Sequence, residues 1–265
     1  MKKTVFISGA TDGIGKATAL LLAGKNYRLL VHGRSDRKLK ELLSELEGIG
    51  STLQHKAYRA DFTSGSDIRE MVQDIRAKEK SIDILISNAG VYVPEKKLVT
   101  SQQIEKTFMV NQLAAFMLIK GLLPLMKGGG GKILQVASMI HADALDFENL
   151  INPEPYDAAN AYAESKLCNI MMVKEMAAKL KDKGILINSL HPGVINTKLL
   201  RAGWGSMGSS PKSAAEHIFL CIQEQNPEIT GHFLMNGQIA PAAEFSDNSR
   251  NQNKCRQLNR ALSSI

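Results

Sequence analysis

Ser138, Tyr162 and Lys166 are the residues whose types and spacing suit a chemical step. Tyr162 and Lys166 stand four apart in a stretch, 161–181, that reads as a helix, so both lie on one face. A free tyrosine, with a pKa of about 10, is a poor proton shuttle at neutral pH. An ammonium group beside it favours the phenolate and is expected to move that pKa toward the working range. Ser138 directly follows the strand-like run Ile133-Leu134-Gln135-Val136-Ala137. There its hydroxyl can hold a carbonyl oxygen next to the tyrosine hydroxyl. Such a pair passes a proton to or from an oxygen, and a nicotinamide would carry the matching hydride. The bland reading is a packing tyrosine and a solvated lysine. Tyr92 and Lys96 share the spacing but enclose Pro94, which breaks a helix; Tyr156 has Asn160 at the fourth position.

A place for the dinucleotide lies near the N-terminus. Ser8-Gly9-Ala10-Thr11-Asp12-Gly13-Ile14-Gly15 sits between the strand-like Thr4-Val5-Phe6-Ile7 and a helix-like run from Lys16. Gly9 lets the chain leave the strand sharply, and Gly13 clears space for phosphate oxygens. Gly15 lets the helix approach the sheet, with its free N–H groups facing an anion. Glycines alone could mark an ordinary tight turn; their position between strand and helix favours the diphosphate. The second strand ends His32-Gly33-Arg34-Ser35. A carboxylate there would bind the ribose hydroxyls of NAD and repel a 2′-phosphate. Glycine at that position, with Arg34 next, favours NADP, since guanidinium pairs with phosphate and stacks on adenine. Asp12 is a mild contrary sign. Gly128-Gly129-Gly130-Gly131 lacks a following lysine and serine and is no phosphate loop.

The elements that must hold these residues alternate. Strands are expected at 4–7, 28–32, 52–60, 82–87, 133–137, 185–190 and 231–235. Helices fall between them, at 66–78, 102–126 (broken near Asn111), 161–181 and 213–225 among others. This predicts one α/β Rossmann domain, residues 1–245: a doubly wound parallel sheet of about seven strands with helices on both faces. Residues 246–265 read as a polar, basic C-terminal tail. Two irregular stretches after strand ends, 141–160 and 194–211, read as substrate lids. In the second, Leu199, Leu200, Trp204 and Met207 would cover an apolar substrate, and its glycines predict no fixed conformation without ligand.

Apolar residues make up 44% and charged residues 22% of the chain, as in globular proteins and unlike disordered ones. No apolar run has the length to cross a bilayer, and no room is left for a signal peptide before the first strand. Cys168, Cys221 and Cys255 are widely spaced and show no zinc pattern, which points to packing, no metal site and a reducing compartment, the cytoplasm by default. The net charge of +7 is spread along helices among acidic partners, and the basic tail has no aromatic residue for stacking. A solvated surface, or attraction for an anionic cofactor, accounts for the charge better than nucleic acid does.

Taken together, these motifs resemble those of the short-chain dehydrogenase/reductase family, over nearly the whole chain. The glycine motif at 8–15, Asn88-Ala89-Gly90, Asn111 in Met109-Val110-Asn111, Ser138, Tyr162-Ala163-Glu164-Ser165-Lys166 and Pro192-Gly193 with Thr197 occur in the family's order. The long interval from Ser138 to Tyr162, holding Asp146-Phe147-Glu148-Asn149-Leu150, is most similar to the retinol-dehydrogenase-like and protochlorophyllide-reductase-like branch. So is the helix beginning Ala161-Tyr162-Ala163-Glu164-Ser165-Lys166-Leu167-Cys168-Asn169. The resemblance implies a catalytic set of Asn111, Ser138, Tyr162 and Lys166, with Asn111 supporting a proton relay through Lys166. It implies cofactor contacts from Gly9, Thr11, Asp12, Gly13, Ile14, Gly15, Arg34, Asp61, Phe62, Asn88, Ala89, Gly90, Tyr162, Lys166, Pro192, Gly193, Val194 and Thr197. Asp61 would sit near the adenine amino group; it could instead cap a helix, as could Thr63 or Ser64. The expected activity is NADP-dependent (NADPH in preference to NADH) interconversion of a carbonyl and an alcohol on a lipophilic small molecule. The alternative is a nucleotide-binding sensor or scaffold without turnover. A homodimer or homotetramer is expected, with no nucleic-acid partner and no membrane span.

Overall fold

A computed structural model of the chain describes residues 2–49, 53–224 and 226–264. Strands β1 (Thr4–Ile7), β2 (Arg28–Gly33), β3 (Lys56–Arg59), β4 (Ile84–Ser87), β5 (Gly131–Val136), β6 (Ile185–His191), β7 (Phe233–Met235) and β8 (Gln238–Ile239) form one sheet in the order β3-β2-β1-β4-β5-β6-β7-β8. All neighbours are parallel except β7 with β8. The two-residue β8 is the strand beyond the seven expected. Residue 52 of the expected third strand and Gln225 of the expected helix at 213–225 lie outside the described residues.

Every residue of β1 is buried, as a parallel strand covered on both faces requires. Val5 and Ile7 join the apolar layer under helices α1 (Gly13–Gly24), α2 (Asp36–Gly48) and α8 (Pro211–Gln223). Phe6 faces the opposite layer, shared with α3 (Gly65–Lys78), α5 (Ala114–Leu122) and α6 (Ala158–Lys181). The strand order reverses between β1 and β4, and the crevice at their carboxyl ends is where such sheets bind ligands.

Lys106–Leu125 is helical throughout: α4 (Lys106–Phe108), a π-turn at Met109–Leu113, α5 and a closing 3₁₀ turn at Leu123–Leu125. The break expected near Asn111 is this π-turn. At 20 residues and mean hydropathy 1.5, the stretch is long and apolar enough to cross a membrane, which corrects the expectation that no run is. Most of it is buried inside the fold, so its apolar character serves the core.

Two further stretches hold more order than their sequences suggest. Lys198–Trp204, within the second expected lid, forms helix α7, with Thr197 Oγ1 accepting the Leu200 N–H at 3.2 Å. The second expected lid thus contains a short helix. The stretch read as a polar tail contains helix α9 (Ser249–Leu262), capped by Asn248. Cys255 and Asn259 are buried on its inner face against the layer that includes α6, while Arg256 pairs with Glu175 of α6 at 3.3 Å. Its basic residues are the outer face of an amphipathic helix.

Candidate active site

A cleft of about 520 Å³ opens at the carboxyl ends of β1, β2, β4, β5 and β6. It brings together Ser138, Tyr162, Lys166 and all the expected cofactor-contacting residues except Gly15. Gly15 and Asn111 stand behind its wall.

The glycine turn is built by close backbone approach. Gly9 and Gly13 take φ of +64° and +51°, a region that side chains disfavour. A Cβ on Gly15 would lie 2.2 Å from Gly9 O and 2.6 Å from Asn88 Nδ2, so only glycine lets α1 begin against the turn. Ser8 Oγ accepts the N–H groups of Asn88 (2.9 Å) and Ala89 (3.0 Å), while Asn88 Nδ2 donates to Ser8 O. This ties the turn to the Asn88-Ala89-Gly90 loop. His32, unremarked in the sequence reading, accepts the Gly9 N–H on Nδ1 at 3.1 Å and bonds Ala60 O through Nε2. Burial drives its pKa down to about 4, keeping it neutral, and its ring stacks on Phe62 at 4.1 Å.

At the mouth, Asp12 caps α1 by accepting the Gly13 N–H, and its other oxygen pairs with Lys198 of α7 (2.7 Å) and Lys38 of α2 (3.3 Å). The lysine hydrogen bonds, Lys198's foremost, hold its pKa below the usual carboxylate value despite partial burial. The contrary sign seen in the sequence is therefore neutralised. A Cβ at Gly33 would stand 2.5 Å from Thr11 Cγ2, so a side chain at the end of β2 would require Thr11 to shift. Arg34 lines the cleft next to it and, among the described residues, has no ion-pair partner. Asp61 accepts from Thr63 N–H and Oγ1, both at 2.9 Å, whereas Ser64 caps α3.

Deeper in, the Ser138 hydroxyl stands near Tyr162, close enough to oppose the rise of its pKa. Ser138 Oγ accepts the Ile140 N–H at 3.0 Å, and its own proton stays available to donate. Lys166 Nζ lies 5.5 Å from the Tyr162 ring centroid and donates to Val136 O at 3.0 Å. Burial raises the Tyr162 pKa, with Ser138 opposing, and lowers that of Lys166 to about 8. This corrects the expectation that the lysine brings the tyrosine down. Both groups are cut off from water, and desolvation disfavours the charged form of each. A neutral tyrosine is nonetheless the form that donates a proton.

Asn111 holds the cleft wall: its side chain accepts the Val91 N–H (2.8 Å) and donates to Val91 O (3.0 Å) and Ser165 Oγ (3.1 Å). The π-turn frees its backbone carbonyl, which accepts from Asn169 Nδ2 at 2.9 Å. Asn169 also meets Gln112 and Gln135, a buried amide network that runs from the π-turn to β5. Besides His32, the sequence reading missed Met139 and His191 in the cleft wall and Tyr92 beside Tyr162.

Residues 3–204 match the model of the short chain dehydrogenase family. The chain belongs to that family. It is 33% identical to retinol dehydrogenase 13 of Homo sapiens over 92% of this chain and 80% of that protein. Among solved structures, a short chain dehydrogenase from Burkholderia cenocepacia J2315 in complex with NADP superposes with TM-score 0.71 at 22% identity, covering 88% of this chain and 95% of that one. A blue fluorescent protein from a metagenomic library, in complex with NADPH, gives TM-score 0.71 at 25% identity with the same coverage. This short-chain dehydrogenase is of the retinol-dehydrogenase-like branch, an NAD(P)-dependent oxidoreductase that interconverts carbonyl and alcohol.

Proposed function

We propose that the chain reduces a ketone or aldehyde on a lipophilic small molecule, with NADPH preferred over NADH. The observation that carries the reading is the convergence of Ser138, Tyr162 and Lys166 with the glycine turn in one cleft. The residues present fit a dinucleotide. The α1 N-terminus opens into the cleft, the turn admits no bulk at Gly15, and Arg34 lines the cleft with no ion-pair partner among the described residues. When bound, NADPH supplies the hydride. Ser138 and Tyr162 hold the carbonyl oxygen, and Tyr162 passes it a proton. Lys166, buried beneath the tyrosine ring, favours the phenolate left behind. Asn111 fixes the wall that keeps Tyr162 and Lys166 in register.

Arg34 beside Gly33 supports the NADP preference, since no carboxylate stands at that position to meet free ribose hydroxyls. Met139, Ile140, Val194 and Met207 are large, exposed and apolar, and all line the cleft, which favours a lipophilic substrate. A cytoplasmic location and a homo-oligomeric state are part of the proposal. NADPH and NADH oxidation across a panel of ketones and aldehydes tests the reading. Turnover that requires Tyr162 and favours NADPH supports it, whereas cofactor binding with no turnover on any substrate would leave a sensor or scaffold.

A further inference from the structure

Tyr92, Tyr162 and Trp204 form a closed trio above the proton donor. The indole lies 4.8 Å from the Tyr92 ring, tilted by 43°, and 5.7 Å from the Tyr162 ring, at 64°. The two tyrosines meet edge-on at 5.9 Å. The trio is brought together by close contact, since a Cβ at Gly203 would stand 3.0 Å from Tyr92 Cε1. Yet no residue of the helix carrying Trp204 is buried, and Gly205 follows at φ +80° with open space around it. The indole thus packs on the two tyrosine rings from a short exposed element that ends at a glycine of positive φ.

We propose that the slot over Tyr162 is shaped for a planar aromatic ring bonded directly to the reacting carbonyl, and that Trp204 fills it until such a substrate displaces it. This rests on the reductase reading and names its substrate class as aryl ketones and aldehydes. Ring edges and faces attract through their quadrupoles, which a saturated ring of equal size cannot match. Two such contacts are worth about tenfold in affinity.

Trp204 is the only tryptophan, so the full chain made with 5-fluorotryptophan gives one ¹⁹F resonance. With NADP⁺ bound, so that no reduction occurs, it is titrated with acetophenone and with cyclohexyl methyl ketone. Acetophenone is expected to move the resonance toward its solvent-exposed position at about tenfold lower concentration. Tyr92→Leu should bring the two ketones within about twofold, and Tyr92→Phe, which keeps the ring, should restore the preference. The proposal is overturned if acetophenone leaves the resonance in place while NADPH reduces it, or if both ketones act equally on the unaltered chain. A clear preference without any reduction by NADPH would sustain the slot and remove the reductase reading instead.

Discussion

Replacing Lys166 with Met should stabilise the ligand-free protein while abolishing turnover. The ammonium is buried at the cleft floor, and desolvation lowers its pKa from 10.5 to about 8. That difference corresponds to about 3 kcal/mol of folding free energy given up to keep the charge inside at neutral pH. Removing the ammonium does not orphan its acceptor, because Val136 O also receives Gln135 Nε2 at 3.2 Å. A net gain of about 1–3 kcal/mol at pH 7 is expected after the lost hydrogen bond is counted. The sign with pH is fixed. Between pH 8 and 10.5 the unfolded lysine still binds its proton while the folded one has released it, so the native chain gains stability as pH rises. Below pH 8 the cost is present in full. Lys166→Met lacks this titration, so its advantage should shrink steadily from pH 8 upward. Urea unfolding of both proteins at intervals from pH 7 to 10 measures the difference. A constant difference over that range, or a less stable variant at pH 7, would refute the account of Lys166 as a costly buried cation.

Tyr162→Phe should cut turnover by about 10²–10⁴-fold with the NADPH dissociation constant little changed, as checked by steady-state kinetics beside a binding titration. Arg34→Ala should weaken NADPH about tenfold or more and NADH little, since only the former carries the 2′-phosphate; equal weakening of both would remove Arg34 as the selector. Gly33→Ala pushes a methyl against Thr11 Cγ2 and should cost about 1–3 kcal/mol in chemical denaturation and weaken the dinucleotide. Thr11→Ser, which deletes that methyl, should recover part of the loss.

The fold was legible because short, largely apolar strands such as β1 and β4 alternate with helix-like segments, the pattern of a parallel sheet covered on both faces. The edges were not. β8 is a two-residue strand paired only with β7, too short to leave a periodic signal. Helix α9 was obscured by its arginines and Lys254, although Cys255, Leu258, Asn259 and Leu262 recur at helical spacing. Ser138, Tyr162, Lys166 and the glycine turn could be named because each carries its chemistry in its type and offset. Tyr92 and His32 could not, since their parts depend on ring contacts and a hydrogen bond across the sheet.

Electrostatics departed furthest from local reasoning, and the cause is α6. The helix places Tyr162 and Lys166 four apart, but it is buried along most of its length under the loops above and α9 alongside. A surface pair four apart would show the lysine lowering the tyrosine's pKa; a buried pair each resist ionisation. The ligand-free site therefore stores a neutral donor above a strained cation. A phenolate formed when Tyr162 gives up its proton meets an ammonium that has no carboxylate ion-pair partner among the described residues and donates to a backbone carbonyl, Val136 O. The charge that costs stability before the reaction is available to stabilise the charge the reaction creates, which links the stability of Lys166→Met to its loss of turnover.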